Sequence, residues 1–179
     1  MNKNNIFLFV GILATIGLVV GTFLQGGSLA QKILFLIGAS VLALLAYANR
    51  QKMFLVIEIV VVLSAAFAFW DIAPLIKYLI FVGTSIIGVS YLVKINFSRE
   101  DKYWPIGAFG LLLLAAGFAT NAVVYPVLFN AFLGLGGILV AIYSGIGVFL
   151  YKTKIAWLWL ILNIFFSINP VITVGKIFG

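Results

Sequence analysis

An all-α, polytopic membrane protein with seven transmembrane helices is what this sequence predicts, and three observations predict it. Apolar side chains make up 65% of the 179 residues and charged ones only 8%. Mean hydropathy is +1.28. The apolar residues gather in seven runs, each near the roughly 20 residues that a helix needs to cross hydrocarbon. Backbone N–H and C=O groups find no water there, so the runs satisfy them by threading the bilayer as helices.

The spans are expected at 6–24, 30–48, 53–70, 74–93, 104–125, 127–150 and 155–175, one integral membrane domain over 1–179. The run after Met1 has no small-residue cleavage site before Gln25, so it reads as a first span and not as a removed leader. Gln25-Gly26-Gly27-Ser28 and Tyr125-Pro126 are turn formers, and Asn49-Arg50-Gln51-Lys52 and Lys152-Thr153-Lys154 are charged stops. The polar stretch 94–103 is the longest loop, and Trp104-Pro105 opens the fifth span. Trp70, Trp104 and Tyr151 fall where aromatic residues prefer the headgroup region.

Seven crossings put Lys3, Arg50, Lys52, Lys94, Arg99, Lys102, Lys152 and Lys154 on one side. Lys32, Lys77 and Lys176 fall on the other. That bias predicts a cytoplasmic N-terminus and an outer C-terminus. A plasma membrane is the expected location, though not from this bias.

Composition excludes much chemistry. With no histidine and no cysteine, zinc sites, iron–sulfur clusters, thiol chemistry and Ser-His-Asp arrangements are all ruled out. Glu58 and Lys77 are the ionisable residues expected inside spans, too few for general acid–base work. No catalytic residue, metal or cofactor is therefore expected, and the chain does not read as an enzyme. Lys77 and Lys176 are misplaced for a retinal Schiff base, which belongs mid-membrane in the last span. The net charge of +7 is scattered among helix ends, so it reports orientation and not a nucleic-acid partner. The expected partners are the lipid bilayer and a small polar solute, with self-association left open.

Few polar residues remain to carry function. Glu58 lies six residues past Lys52, about 9 Å along a helix. It reads equally as a coupling or substrate-anchoring carboxylate near the cytoplasmic opening, or as one that reaches the interface or pairs with Lys52. Trp159, Asn163 and Ser167 share one helical face at i, i+4 and i+8, and Pro170 follows. An indole beside an amide can stack on and hydrogen-bond a sugar or a nucleoside base. Tyr143 is the most central of the remaining candidates; Ser144, Thr84, Gly88 and Tyr91 could line a cavity with it. Asp71 and Lys77 are expected to pair across the outer turn. Gly17 and Gly21 form a GxxxG step, and five glycines between 134 and 147 leave span six bare for close helix packing.

A spacing near 100 residues relates Gly17 to Gly117, Gly38-Ala39-Ser40-Val41 to Gly137-Ile138-Leu139-Val140, and Arg50-Gln51-Lys52 to Lys152-Thr153-Lys154. A four-span offset preserves direction, so the pattern is that of parallel three-helix repeats joined by span four.

The segment from Lys152 to Asn163 resembles the corresponding stretch of the PnuC nicotinamide riboside transporters, which carries a Trp-x-x-Trp-x-x-x-Asn signature. Trp159 and Asn163 match its second tryptophan and its asparagine, and Ala156 stands where the first tryptophan would be. The 3+1+3 plan also resembles PnuC and the SWEET sugar transporters. The resemblance implies a facilitative transporter of a small polar metabolite, sugar- or nucleoside-like. Trp159 and Asn163 are the substrate contacts that the match implies, and the reading of the residues adds Tyr143 and Glu58 as substrate-binding candidates. No P-loop motif is present, which agrees with passive transport. The competing reading is a non-transporting membrane scaffold or assembly partner.

Overall fold

The computed structural model describes residues 3–24, 28–70, 72–95, 101–120 and 124–178. Among them the chain is all-helical: α1 (Lys3–Phe23), α2 (Leu29–Ala48), α3 (Lys52–Phe67), α4 (Pro74–Lys94), α5 (Trp104–Ala119), α6 (Pro126–Phe149) and α7 (Ala156–Phe178). Proline at the first helical positions starts α4, α5 and α6, where its missing N–H costs nothing. Ser28 caps α2 by accepting from the Gln31 N–H at 3.3 Å.

Five helices, α1, α2, α4, α6 and α7, are long and apolar enough to cross a membrane. The expected third and fifth spans are shorter than the sequence suggests, at 16 residues each, or about 24 Å. α3 gives way to a turn at Ala68. α5 stops at Thr120, whose backbone is extended. Both short helices sit inside the bundle, α5 burying glycine and alanine as well as leucine, while the long helices turn large apolar side chains outward. Leu44 is 68% exposed and Ile87 70%. A soluble domain would not leave such patches bare; lipid covers them. Asp71, half of the expected outer ion pair, and Asn121 lie outside the described residues.

The packing has a twofold logic. α1 packs on α2 and α2 on α3; α5 packs on α6 and α6 on α7. Across the halves α1 touches α7 and α3 touches α5, the reciprocal pair that two parallel three-helix units require. α4 leaves α3 and leans on α5 as a connector. A local signature repeats too. Among the described residues, Arg50 and Lys152 are the non-glycine residues at positive φ, 56° and 55°, just past the ends of α2 and α6. At Arg50 the Arg50 N–H donates to the Tyr47 carbonyl at 3.0 Å and the Gln51 N–H to the Ala46 carbonyl at 2.8 Å. That is a Schellman closure in which glycine is usual, and Arg50 adopts it at some conformational cost.

Three buried serine hydroxyls bond back to their own helix, whereas the buried Thr15 hydroxyl has no partner among the described residues. Ser85 donates to the Phe81 carbonyl at 2.8 Å, Ser144 to Val140 at 2.7 Å and Ser167 to Asn163 at 2.6 Å. In hydrocarbon that local partner removes most of the cost of a buried hydroxyl. Close helix approach uses glycine where expected: Gly21 of the GxxxG step faces Phe35 of α2, and Gly136 and Gly110 bring the α6 and α5 backbones together.

Candidate functional site

A cavity of about 600 Å³ enters the bundle from one end. Its outer rim is built where helix ends gather: Thr22 from α1, Gln31 and Lys32 from α2, Ala68 after α3, Phe118 from α5 and Asn130 from α6. This is the end away from Arg50, Lys52, Lys152 and Lys154. Glu58 of α3 and Asn163 of α7 line its deepest part. Between rim and floor the walls are mainly apolar, with Phe35, Phe129 and Phe166 prominent. Pro170 also lines the wall. Lacking an N–H, it removes the ladder donor of the Phe166 carbonyl, without interrupting α7.

Glu58 does not reach the interface, nor does it pair with Lys52. It is 1% exposed, and its Oε1 accepts from the Trp159 indole N–H at 2.7 Å. Oε2 is buried with no hydrogen-bond partner. A carboxylate at the centre of a span costs about 2.5–3.5 kcal/mol on insertion scales, and one indole donor offsets part of that. The expectation of a role at the cytoplasmic opening changes accordingly: Glu58 forms the floor of a cavity that opens at the opposite end.

Asn163 also lines the cavity, and its Nδ2 donates to the Trp159 carbonyl of its own helix at 2.9 Å. The amide is held in place without being tied to a neighbouring helix.

Trp159 takes a different place from the one expected. It is fully buried and lies behind Glu58, not on the cavity wall. One face stacks on Phe54 with centroids 4.3 Å apart and planes 12° from parallel. That face is unavailable to a ligand because α3 brings Phe54 over it. Tyr143 is likewise displaced. Its ring sits 5.5 Å from Phe54, and its hydroxyl donates to Asp101 Oδ2 at 2.7 Å. Asp101, buried just before α5, also accepts from the Tyr151 hydroxyl at 2.9 Å and from the Tyr103 N–H at 2.9 Å, both on Oδ1. Burial and the Asp101 hydrogen bond push the Tyr151 hydroxyl up to about 12, so it remains a donor at neutral pH.

Of the four candidates, Glu58 and Asn163 line the cavity, while Glu58, Trp159 and Tyr143 belong to one column. Glu58 leads to Trp159, Trp159 to Phe54, Phe54 to Tyr143, and Tyr143 to Asp101. The column runs from the cavity floor toward the basic end. Replacing Tyr143 with phenylalanine is expected to cost about 1.5–3 kcal/mol, the range for a hydrogen bond to a charged group. Tyr151→Phe should cost less because that ring is partly exposed. Thermal denaturation in detergent measures both, and equal costs would contradict the assignment.

Sequence reading missed Asp101, placed in a solvated loop; the available signal was an acid two residues ahead of Tyr103-Trp104-Pro105, at the turn that starts a helix. It also missed Gln31, Lys32, Ser64 and Asn130, which line the cavity. In α4, Gly88 meets Val56 and Tyr91 is 58% exposed; Thr84, Gly88 and Tyr91 do not line the cavity, and Ser144 bonds within α6. No protein-family model matches this chain, and neither a curated protein nor a solved structure matches it.

Proposed function

We propose that this chain is a facilitative transporter of a small polar metabolite the size of a sugar or nucleoside, and not an enzyme. The observation that carries the reading is a cavity whose rim is formed by helix ends gathered at one end of the bundle. A carboxylate and an amide lie at its floor, with an aromatic column beneath them. Alternating access needs a site near mid-membrane, with helices on either side that can rock. The reciprocal contacts of the two three-helix units suit that motion. Trp159 takes the part of a gate support here, in place of a stacking platform, and Asn163 that of a ligand contact. By the basic-residue bias, the open end faces outward from a plasma membrane, with the N-terminus in the cytoplasm and the C-terminus outside.

Uptake of labelled sugars and nucleosides into liposomes containing the purified protein tests this. Asn163→Ala is expected to lower uptake about tenfold, the equivalent of one hydrogen bond to the solute. The fold should persist, because the amide bonds only within α7 in this structure. Absence of uptake for every solute would leave the scaffold reading, which has no need of a cavity.

A further inference from the structure

We propose that the floor of the cavity is an ammonium site, where Oε2 of Glu58 accepts from the N–H donors of a small amine whose apolar body rests against Phe35, Phe129 and Phe166. The inference rests on the cavity being a ligand site and adds the chemical class of the ligand. Three observations converge. Glu58 is almost wholly buried, and Oε2 has no partner while Oε1 is held by Trp159. The indole therefore fixes the carboxylate and leaves one oxygen for something else.

Among the described residues no basic side chain bonds to Glu58. Lys32 lines the cavity too, but its Nζ lies over the Phe69 ring at 5.7 Å. Phe69 follows the end of α3, which sets that ammonium at the rim. The cavity walls are mostly hydrocarbon and phenyl, with the Asn163 amide as a further polar contact.

A lone carboxylate oxygen in such surroundings could be met by water, a hydroxyl or an ammonium. Only the ammonium also cancels the charge, and charge-assisted bonds are the stronger ones. Phenyl faces add favourable surroundings for a cation.

Trp159 supplies a built-in reporter, since its N–H bonds the same carboxylate. A variant with Trp70, Trp104 and Trp157 all changed to phenylalanine keeps Trp159 as the sole indole. In detergent micelles, phenethylamine is expected to shift its emission saturably. Phenethyl alcohol, with the same body and no charge, should bind about tenfold more weakly or worse. In the same background Glu58→Gln should erase the preference and Glu58→Asp should retain it. The amine–alcohol comparison on the unaltered carboxylate stands even if a Glu58 variant does not fold. Equal binding of the two probes, no shift with either, or a preference that survives Glu58→Gln overturns the proposal. Uptake of neutral solutes without any amine preference would remove the ammonium site and leave transport standing. Amine binding without uptake of any solute would do the opposite.

Discussion

Replacing Trp159 with alanine is expected to abolish accumulation of folded protein. The side chain is fully buried, and truncating a buried tryptophan costs about 3–5 kcal/mol through the void left behind. Here the void would open beside Phe54, which loses a ring stacked at 4.3 Å. The change would also strip Glu58 of its indole donor, leaving a buried carboxylate with neither oxygen bonded, for about 1–3 kcal/mol more. Against total stabilities of about 5–15 kcal/mol, that sum is severe. Trp159→Phe separates the two effects, because it keeps most of the volume and the stacking while removing the N–H. Its expected cost is about 1.5–3 kcal/mol. Adding Glu58→Gln to Trp159→Phe should cost less than Glu58→Gln alone, the mark of two residues in one interaction. Unfolding midpoints in detergent give all three numbers. A Trp159→Phe protein as stable as wild type would show that the indole–carboxylate bond contributes nothing.

Among the described glycines, Gly136→Ala is expected to be the most damaging exchange for alanine. A Cβ on Gly136 would stand 2.8 Å from the Leu114 backbone nitrogen and 3.0 Å from the Gly110 carbonyl oxygen. A flexible side chain could swing aside; two helix backbones must part. Overpacking of this kind costs about 1–3 kcal/mol, occasionally more. Gly110→Ala strains the same crossing from the other side, with its Cβ 3.0 Å from the Gly136 carbonyl. Once α5 and α6 have separated for one methyl, the second is cheaper, so the double variant should fall short of the sum. Leu114 and Phe118 of α5 line the cavity, so the same variants should alter uptake as well as stability. Gly83→Ala is the control: its Cβ meets nothing within 4 Å, and alanine should be neutral or stabilising in α4 by up to about 1 kcal/mol. Equal losses at Gly83 and Gly136 would remove backbone contact as the cause.

The all-helical class and the helix order could be read from sequence because each run must meet its own backbone hydrogen bonds in lipid, a local requirement independent of neighbours. Starts were legible for the same reason: Pro74, Pro105 and Pro126 mark helix entries by their own geometry. Ends were less so. Phe69 and Trp70 continue the apolar pattern of α3, yet the helix stops at Phe67, since hydropathy cannot show where a buried helix meets its neighbours and turns. Glu58, Trp159, Asn163 and Tyr143 could be singled out because polar and amphipathic side chains are expensive in a span.

How those residues divide the work was settled in three dimensions. Trp159 and Asn163 lie four positions apart on one helix, but Phe54 from α3 covers the indole while the amide is left beside empty space. Glu58 and Trp159 are 101 residues apart and meet at 2.7 Å, a pairing that no spacing along the chain encodes. Periodicity assigns a side chain to a face of its helix. What stands opposite that face depends on which helices pack together, and this is fixed by shape and by the depth at which each glycine lets two backbones close.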